Sequence, residues 1–145
     1  MASKRANDIM TGSPAVVTPE TTAQDAARLM ADNDCGSLPV VESRDSMKLI
    51  GMVTDRDLAL RVLGQGKGSE TPVRDVMTKT VHSVKQDDDL DAVEKVMSGQ
   101  QVRRVPVVDV QGRVIGIVAQ ADLARELESV GRKDFSKVLE KISQP

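Results

Sequence analysis

The sequence predicts an α/β fold (α+β) made of two copies of one β-α-β-β-α unit, and three observations predict it. The chain matches itself at a nearly constant offset. Within each copy, apolar runs of strand length alternate with stretches of helical period. The offset changes at one place, inside a polar loop. Asp8-Ile9-Met10-Thr11 matches Asp75-Val76-Met77-Thr78, 67 positions on, and Met30 matches Met97. Leu38-Pro39-Val40-Val41 matches Val105-Pro106-Val107-Val108 at the same spacing. The spacing then falls to 65, with Gly51 on Gly116 and Asp57-Leu58 on Asp122-Leu123. The extra residues therefore lie between Val41 and Leu49, where Glu42-Ser43-Arg44-Asp45-Ser46 reads as a hairpin loop. Its counterpart, Asp109-Val110-Gln111-Gly112-Arg113, is a tighter turn with Gly112 available for positive φ.

Each element has its own signal. Ala15-Val16-Val17-Thr18 is a short extended piece ended by Pro19. Thr21 or Thr22 then caps a helix whose apolar stripe is Ala23, Ala26, Ala27 and Met30. In the second copy, Asp87-Asp88-Asp89 sits at the positive end of the helix dipole, and Leu90, Val93 and Met97 form the stripe. Strands over 37–41 and 104–108 follow, then the loop, then strands over 48–53 and 114–118. The strands read as apolar on both faces, as a sheet covered by helices requires. A closing helix carries Leu123, Leu127 and Val130 on one side in the second copy, with Gly64 and Gly131 as helix stops. The organisation is a repeat over 6–64, a flexible polar linker over 65–72, a repeat over 73–131 and a tail over 132–145. Phe135, Val138, Leu139 and Ile142 give the tail an amphipathic helical spacing. A unit of roughly 50 residues buries too little surface alone, so the two are expected to pack sheet against sheet. Met10, Met30, Met77 and Met97 recur at equivalent positions and read as core fillers.

Composition excludes several functions. Lysine plus arginine (20) nearly balances aspartate plus glutamate (22), so no basic field invites nucleic acid. Tyr and Trp are absent and Phe135 is the single aromatic, which removes the stacking platforms of single-strand binders. Cys35 stands alone, so no internal disulfide forms and a reducing compartment suits the chain. No apolar run reaches the roughly 20 residues of a membrane span, and no signal peptide is expected from the polar opening Met1-Ala2-Ser3-Lys4-Arg5-Ala6-Asn7. A cytoplasmic protein is expected. His82 has no partner at metal-ligand spacing, and no nucleophile, metal cluster or general-base pair argues for an enzyme. Gly64-Gln65-Gly66-Lys67-Gly68 is no phosphate loop, because Lys67 is followed by Gly68 and the segment leaves a helix.

The chemistry gathers at Leu49-Ile50-Gly51-Met52-Val53-Thr54-Asp55-Arg56-Asp57, a strand breaking into a helix. A helix start offers unpaired amides and partial positive charge to a phosphate. Thr54 adds a hydroxyl, and Asp57, an acceptor only, can take both hydroxyls of a ribose. Gly51 admits a close approach to the strand. The same Thr-x-x-Asp spacing is also a capping box that needs no ligand, and both readings stand. In the second copy, Ala119 replaces the hydroxyl while Asp122 remains, which favours a ligand role for the carboxylate.

Tandem units with Asp-Ile-Met-Thr-type openings, a Leu-Pro-Val-Val strand and a Gly-x-x-Thr-x-x-Asp junction resemble a pair of CBS (cystathionine β-synthase) domains, from about Ala6 to Val130. The chain looks most like small stand-alone bacterial pairs of the hypoxic-response type, which share the run Gln101-Val102-Arg103-Arg104-Val105-Pro106. The resemblance implies two repeats related by pseudo-two-fold symmetry and a flat homodimer. It implies a regulatory, non-catalytic module that senses AMP, ADP, ATP, NAD or S-adenosylmethionine and signals to an effector protein. A dimeric scaffold whose clefts bind nothing is the alternative. The resemblance implies that repeats contribute crosswise, so that Thr54 and Asp57 face Val81, His82, Val102, Arg103 and Arg104. Strand alternation lets one of the two arginines reach the phosphates, and the family pattern favours Arg104. Adenine would lie between aliphatic side chains. A second site would combine Asp122 with Thr11, Ala15, Val16, Gly36 and Ser37. It lacks the cap hydroxyl and the arginine pair, so unequal sites are expected.

Overall fold

The duplicated stretches that open the two repeats do not stay with the repeats they open. The computed structural model describes residues 4–100 and 102–129. One compact unit holds the described residues through Pro14, His82–Gln111, and those from Ile115 onward. The other holds Ala15–Val81 and Gly112–Val114. They are called the Asp122 unit and the Thr54 unit below. Each contains the body of one repeat and the leading arm of the other.

In the Asp122 unit the arm is α1 (Ala6–Ile9) followed by β1 (Thr11–Gly12). The body is β4 (Val84–Lys85), α4 (Leu90–Gln100), β5 (Arg104–Val108), β6 (Val114–Ala119) and α5 (Gln120–Ser129). The sheet order is β1-β6-β5-β4, with β1 antiparallel to β6 and β4 parallel to β5. In the Thr54 unit the body is α2 (Ala23–Asp32), β2 (Ser37–Val41), β3 (Leu49–Thr54), α3 (Asp55–Asp57) and a π-helix (Leu58–Leu63). Its arm is a 3₁₀ turn over Val73–Asp75. The antiparallel pair β2-β3 is extended by single bridges, Val17 to Val40 and Met52 to Thr78. Those bridges are the register equivalents of Val84 to Val107 and of Ile117 to Thr11, so one layout is built twice.

Backbone hydrogen bonds hold the arms. Ala6 N–H donates to the Asp88 carbonyl (2.8 Å) and Asn7 N–H to that of Gln86 (3.1 Å). Val73 N–H donates to Thr21 (2.8 Å) and Arg74 N–H to Pro19 (3.0 Å), the same four positions shifted by the repeat. Met52 and Thr78 exchange two bonds of 2.9 and 2.8 Å. This pairing needs Gly51, because a Cβ there would stand 2.9 Å from the Thr78 carbonyl oxygen. What approaches the strand at Gly51 is thus the chain's own arm. Met10 packs against Gly116 in the same way.

Each unit has its own core. One joins Ala6, Val84, Val93, Met97, Val105, Val107, Val118, Leu123 and Leu127. The other joins Val17, Ala23, Ala26, Met30, Leu38, Val40, Val53, Val62, Val73 and Val76. The middle strands β2 and β5 are buried on both faces after their first residue, as expected. β3 and β6 alternate instead, with one face only partly covered. Met30 and Met97 are core residues, whereas Met10 and Met77 lie half-buried against the two clusters.

Several local expectations need correction. Ala27 is exposed, because the stripe of α2 follows 23, 26 and 30 and turns its neighbour outward. The helix does stop at Gly64, as expected, but Gly64 keeps right-handed dihedrals and the positive φ falls at Gly66 (69°). The linker is tied down. Ala23 N–H donates to the Thr71 carbonyl (2.8 Å) and Gln24 N–H to that of Ser69 (3.0 Å), which satisfies the first amides of α2 beside its Thr22 cap. The closing helix of the first repeat is mostly π rather than α. Gly112 takes φ of 81°, as the tight turn requires. Val130, Gly131 and the amphipathic tail lie outside the described residues, as does Gln101. No helix among the described residues is long and apolar enough to cross a membrane.

Candidate functional site

At the end of β3, Thr54 is extended and caps α3. Its Oγ1 accepts from the Asp57 N–H (3.0 Å), and Asp57 Oδ2 accepts from the Thr54 N–H (3.0 Å), so the capping box is complete. The amides expected to be open are taken. Asp55 N–H donates to the Gly36 carbonyl (2.9 Å), and Arg56 N–H donates to Asp55 Oδ1 (2.8 Å). With Asp57 N–H on Thr54, the helix start has no unpaired amide at 55–57 for a phosphate. Asp57 is 8% exposed, the one buried charged residue among those described. Its Oδ1 lies 3.8 Å from Arg61 Nε, beyond hydrogen-bond length. Arg61 is held back by its own bond from Nη1 to the Val76 carbonyl (3.2 Å). Among the described residues no buried side-chain oxygen lacks a hydrogen-bond partner, so Oδ1, which has none, opens to solvent.

The second junction has the same frame. Gln120 N–H donates to the Arg103 carbonyl (2.7 Å), matching Asp55 on Gly36. Ala119 has no side-chain oxygen, yet its N–H still donates to Asp122 Oδ2 (2.9 Å). Half of the capping box survives. The persistence of Asp122 without a hydroxyl partner therefore has a structural cause and does not by itself favour a ligand role. Asp122 Oδ1 takes a 2.6 Å hydrogen bond from Arg125 Nη2.

The remaining predicted residues divide between the units. The Thr54 unit holds Thr54, Asp57 and Val81, together with Ala15, Val16, Gly36 and Ser37. Val81 and Ala15 are half-buried and Val16 is buried. Ser37 pairs with Thr54 across β2 and β3. Gly36 has no room for a side chain, because the Asp55 carboxylate would stand 2.9 Å from its Cβ. The Asp122 unit holds Asp122 and Thr11, with Thr11 paired to Ile117 on the strand that leads to Asp122. It also holds His82, Val102, Arg103 and Arg104. His82 and Arg103 are exposed and Arg104 is half-buried at the start of β5. Neither guanidinium has a hydrogen bond or ion pair among the described residues. Sequence reading missed Asp55, Arg61 and Arg125; the transposition of Leu60-Arg61 into Arg125-Glu126 at equivalent positions was the available signal.

Beside α2 and the π-helix, the Thr54 unit carries a mostly apolar cleft of about 790 Å³ whose lining includes Ala27, Met30, Leu58, Val62, Leu63 and Asp55. Leu63 (79%) and Leu60 (51%) stand exposed on the π-helix. Among the described residues no group of three His, Cys, Asp or Glu side chains can hold a metal ion.

Residues 6–64 and 73–129 match the family model described as CBS domain. The CBS domain-containing protein YhcV of Bacillus subtilis is 44% identical over 117 residues, 81% of each chain. Hypoxic response protein 1 of Mycobacterium tuberculosis is 33% identical over 135 residues, 92% of each chain. Among solved structures, CBSX2 of Arabidopsis thaliana in complex with AMP matches with a TM-score of 0.75 and 29% identity, over 90% of this chain and 100% of that one.

Proposed function

Since this chain belongs to the CBS domain family and carries two copies of the domain, we propose that it is a regulatory sensor rather than an enzyme. It binds an adenosine nucleotide of the AMP, ADP, ATP or NAD type and signals to a partner protein in trans. The observation that carries the reading is Asp57, a nearly buried carboxylate with one oxygen committed to the backbone and the other without a hydrogen bond, 3.8 Å from Arg61 Nε. A carboxylate oxygen without a hydrogen bond accepts and never donates, which suits it to the hydroxyls of a ribose. Thr54 Oγ1 accepts from the backbone and keeps its own proton to donate to a phosphate oxygen. With the helix amides occupied, phosphate charge falls to side chains, and the family resemblance names Arg103 and Arg104 for it. The AMP complex of CBSX2 supports the ligand class.

A thermal-shift panel of AMP, ADP, ATP, NAD, NADH, S-adenosylmethionine and adenosine tests this. A ligand at 100 times its Kd raises stability by about 2.7 kcal/mol. Asp57→Asn is expected to abolish the shift, and Arg104→Ala to weaken charged nucleotides more than adenosine. A panel in which nothing moves the melting temperature overturns the reading; equal losses for AMP and adenosine remove Arg104 from phosphate binding. The complete capping box favours a second reading, a dimeric scaffold whose junctions only cap helices, and the same panel separates the two. Under either reading we assign homodimer contact to the exposed Leu60 and Leu63 beside the apolar cleft. Sedimentation velocity checks it: a dimer is expected, Leu63→Glu should give monomer, and a monomeric parent protein refutes it.

A further inference from the structure

The two junction carboxylates share one backbone frame and differ in what holds their second oxygen. Asp57 Oδ2 and Asp122 Oδ2 both accept the N–H of the cap residue, at 3.0 and 2.9 Å. The Oδ1 atoms diverge. In the Thr54 unit, the cation near Asp57 is four residues on, at Arg61. The Val76 carbonyl takes its Nη1, and Nε stays 3.8 Å from Oδ1. In the Asp122 unit, the cation is three residues on, at Arg125, one turn along a regular α-helix. It folds back onto Oδ1 at 2.6 Å. The position equivalent to Arg61 is Glu126, which pairs with Lys4 at 3.0 Å. Moving one arginine by one place along the closing helix thus decides whether the carboxylate's second oxygen carries a hydrogen bond.

We propose that Arg125 is a specificity-determining residue that occupies Asp122 and sets the second junction to a weaker affinity for the ribose diol than the first. This rests on the reading that the junction carboxylates take ribose hydroxyls. A diol arriving at Asp57 displaces no protein hydrogen bond. A diol arriving at Asp122 must first displace a charge-assisted one. The Arg125 side chain is 72% exposed and gives up the bond to water, so affinity is lowered and not abolished. Ala119 does not explain this asymmetry, because the missing hydroxyl leaves the carboxylate where it was.

Calorimetric titration of the full chain with AMP and with adenosine tests the proposal, using Asp57→Asn, Arg125→Gln, Arg125→Lys and the double variant Asp57→Asn with Arg125→Gln. The Asp57→Asn protein should retain only weak binding. Adding Arg125→Gln should tighten it by about two- to fivefold for both ligands, the range expected for one largely exposed charged contact. Arg125→Lys, which keeps the charge, should stay within about twofold of the parent. Loss of the tight site in Asp57→Asn with no gain from Arg125→Gln overturns the inference and leaves the nucleotide reading standing. Weaker AMP binding in Arg125→Gln also overturns it, since Arg125 would then hold phosphate. A parent protein that binds neither ligand overturns the nucleotide reading and this inference together. Arg125 is on the surface, and thermal unfolding of each variant shows whether the fold is intact.

Discussion

At the scale of single residues, the junction aspartates have a structural task before any ligand arrives. Each ties the last amide of its strand to the first turn of its helix, with or without a hydroxyl in return. Thr54 is the part that one copy keeps and the other omits. Thr54→Ala should lower unfolding stability by about 1 kcal/mol in urea titration, the usual cost of a lost cap, and Ala119→Thr should recover a similar amount in the other unit. A null result for both would mean that the strand ends set these helix starts unaided. The Thr-x-x-Asp spacing was legible because a capping box is a local motif. The occupied amides were not, because the carbonyl that fills the first of them belongs to Gly36, and in the second copy to Arg103. No periodicity links a carbonyl before one strand to an amide after the next. The positions of the arginines along the closing helices were written in the sequence, but their consequence depends on the Val76 carbonyl, which only the folded arm brings near Arg61.

At the scale of elements, the two long strands of each repeat are legible to within a residue, and the stripes of α2 and α4 are legible in part, because strand-length apolar runs and a helical stripe are local signals. The helix endings are not. α2 stops with Asp34 at φ of 50°, Asp34 N–H bonded to the Ala31 carbonyl (3.3 Å) and Cys35 N–H to that of Met30 (2.9 Å). That is a Schellman closure with an aspartate where glycine is the usual signal. The exposure of Ala27 follows from the same face of α2, since an alanine suits a stripe and an open cleft equally and its type cannot tell them apart. The π-helix had no local signal either. Leu58-Ala59-Leu60-Arg61-Val62-Leu63 has good α-helical propensity, so its hydrogen-bond register is a property of its packing. The linker looked flexible by composition, and its carbonyls are nevertheless the partners that the start of α2 needs.

At the scale of the whole molecule, the repeats of the sequence and the units of packing are offset from one another. The stretch 15–81 contains nearly all of the Thr54 unit, whereas repeat 6–64 lacks Val73 and Val76 of that unit's core and carries an arm with no place in it. A fragment over 15–81 should therefore show more helical circular dichroism and a sharper thermal transition than a fragment over 6–64. Equal behaviour would mean that the arm contributes nothing to the unit it enters. The self-match told where the chain was duplicated, but it could not tell which body each arm joins, because equivalent arms offer equivalent side chains to equivalent grooves.

The crossed arms also bear on ancestry. A lone copy of this repeat would carry an arm and a groove made for each other's twin, and two separate chains would satisfy both by trading arms. Such a pair would be a domain-swapped dimer, and two copies joined in tandem make the same exchange of arms within one polypeptide.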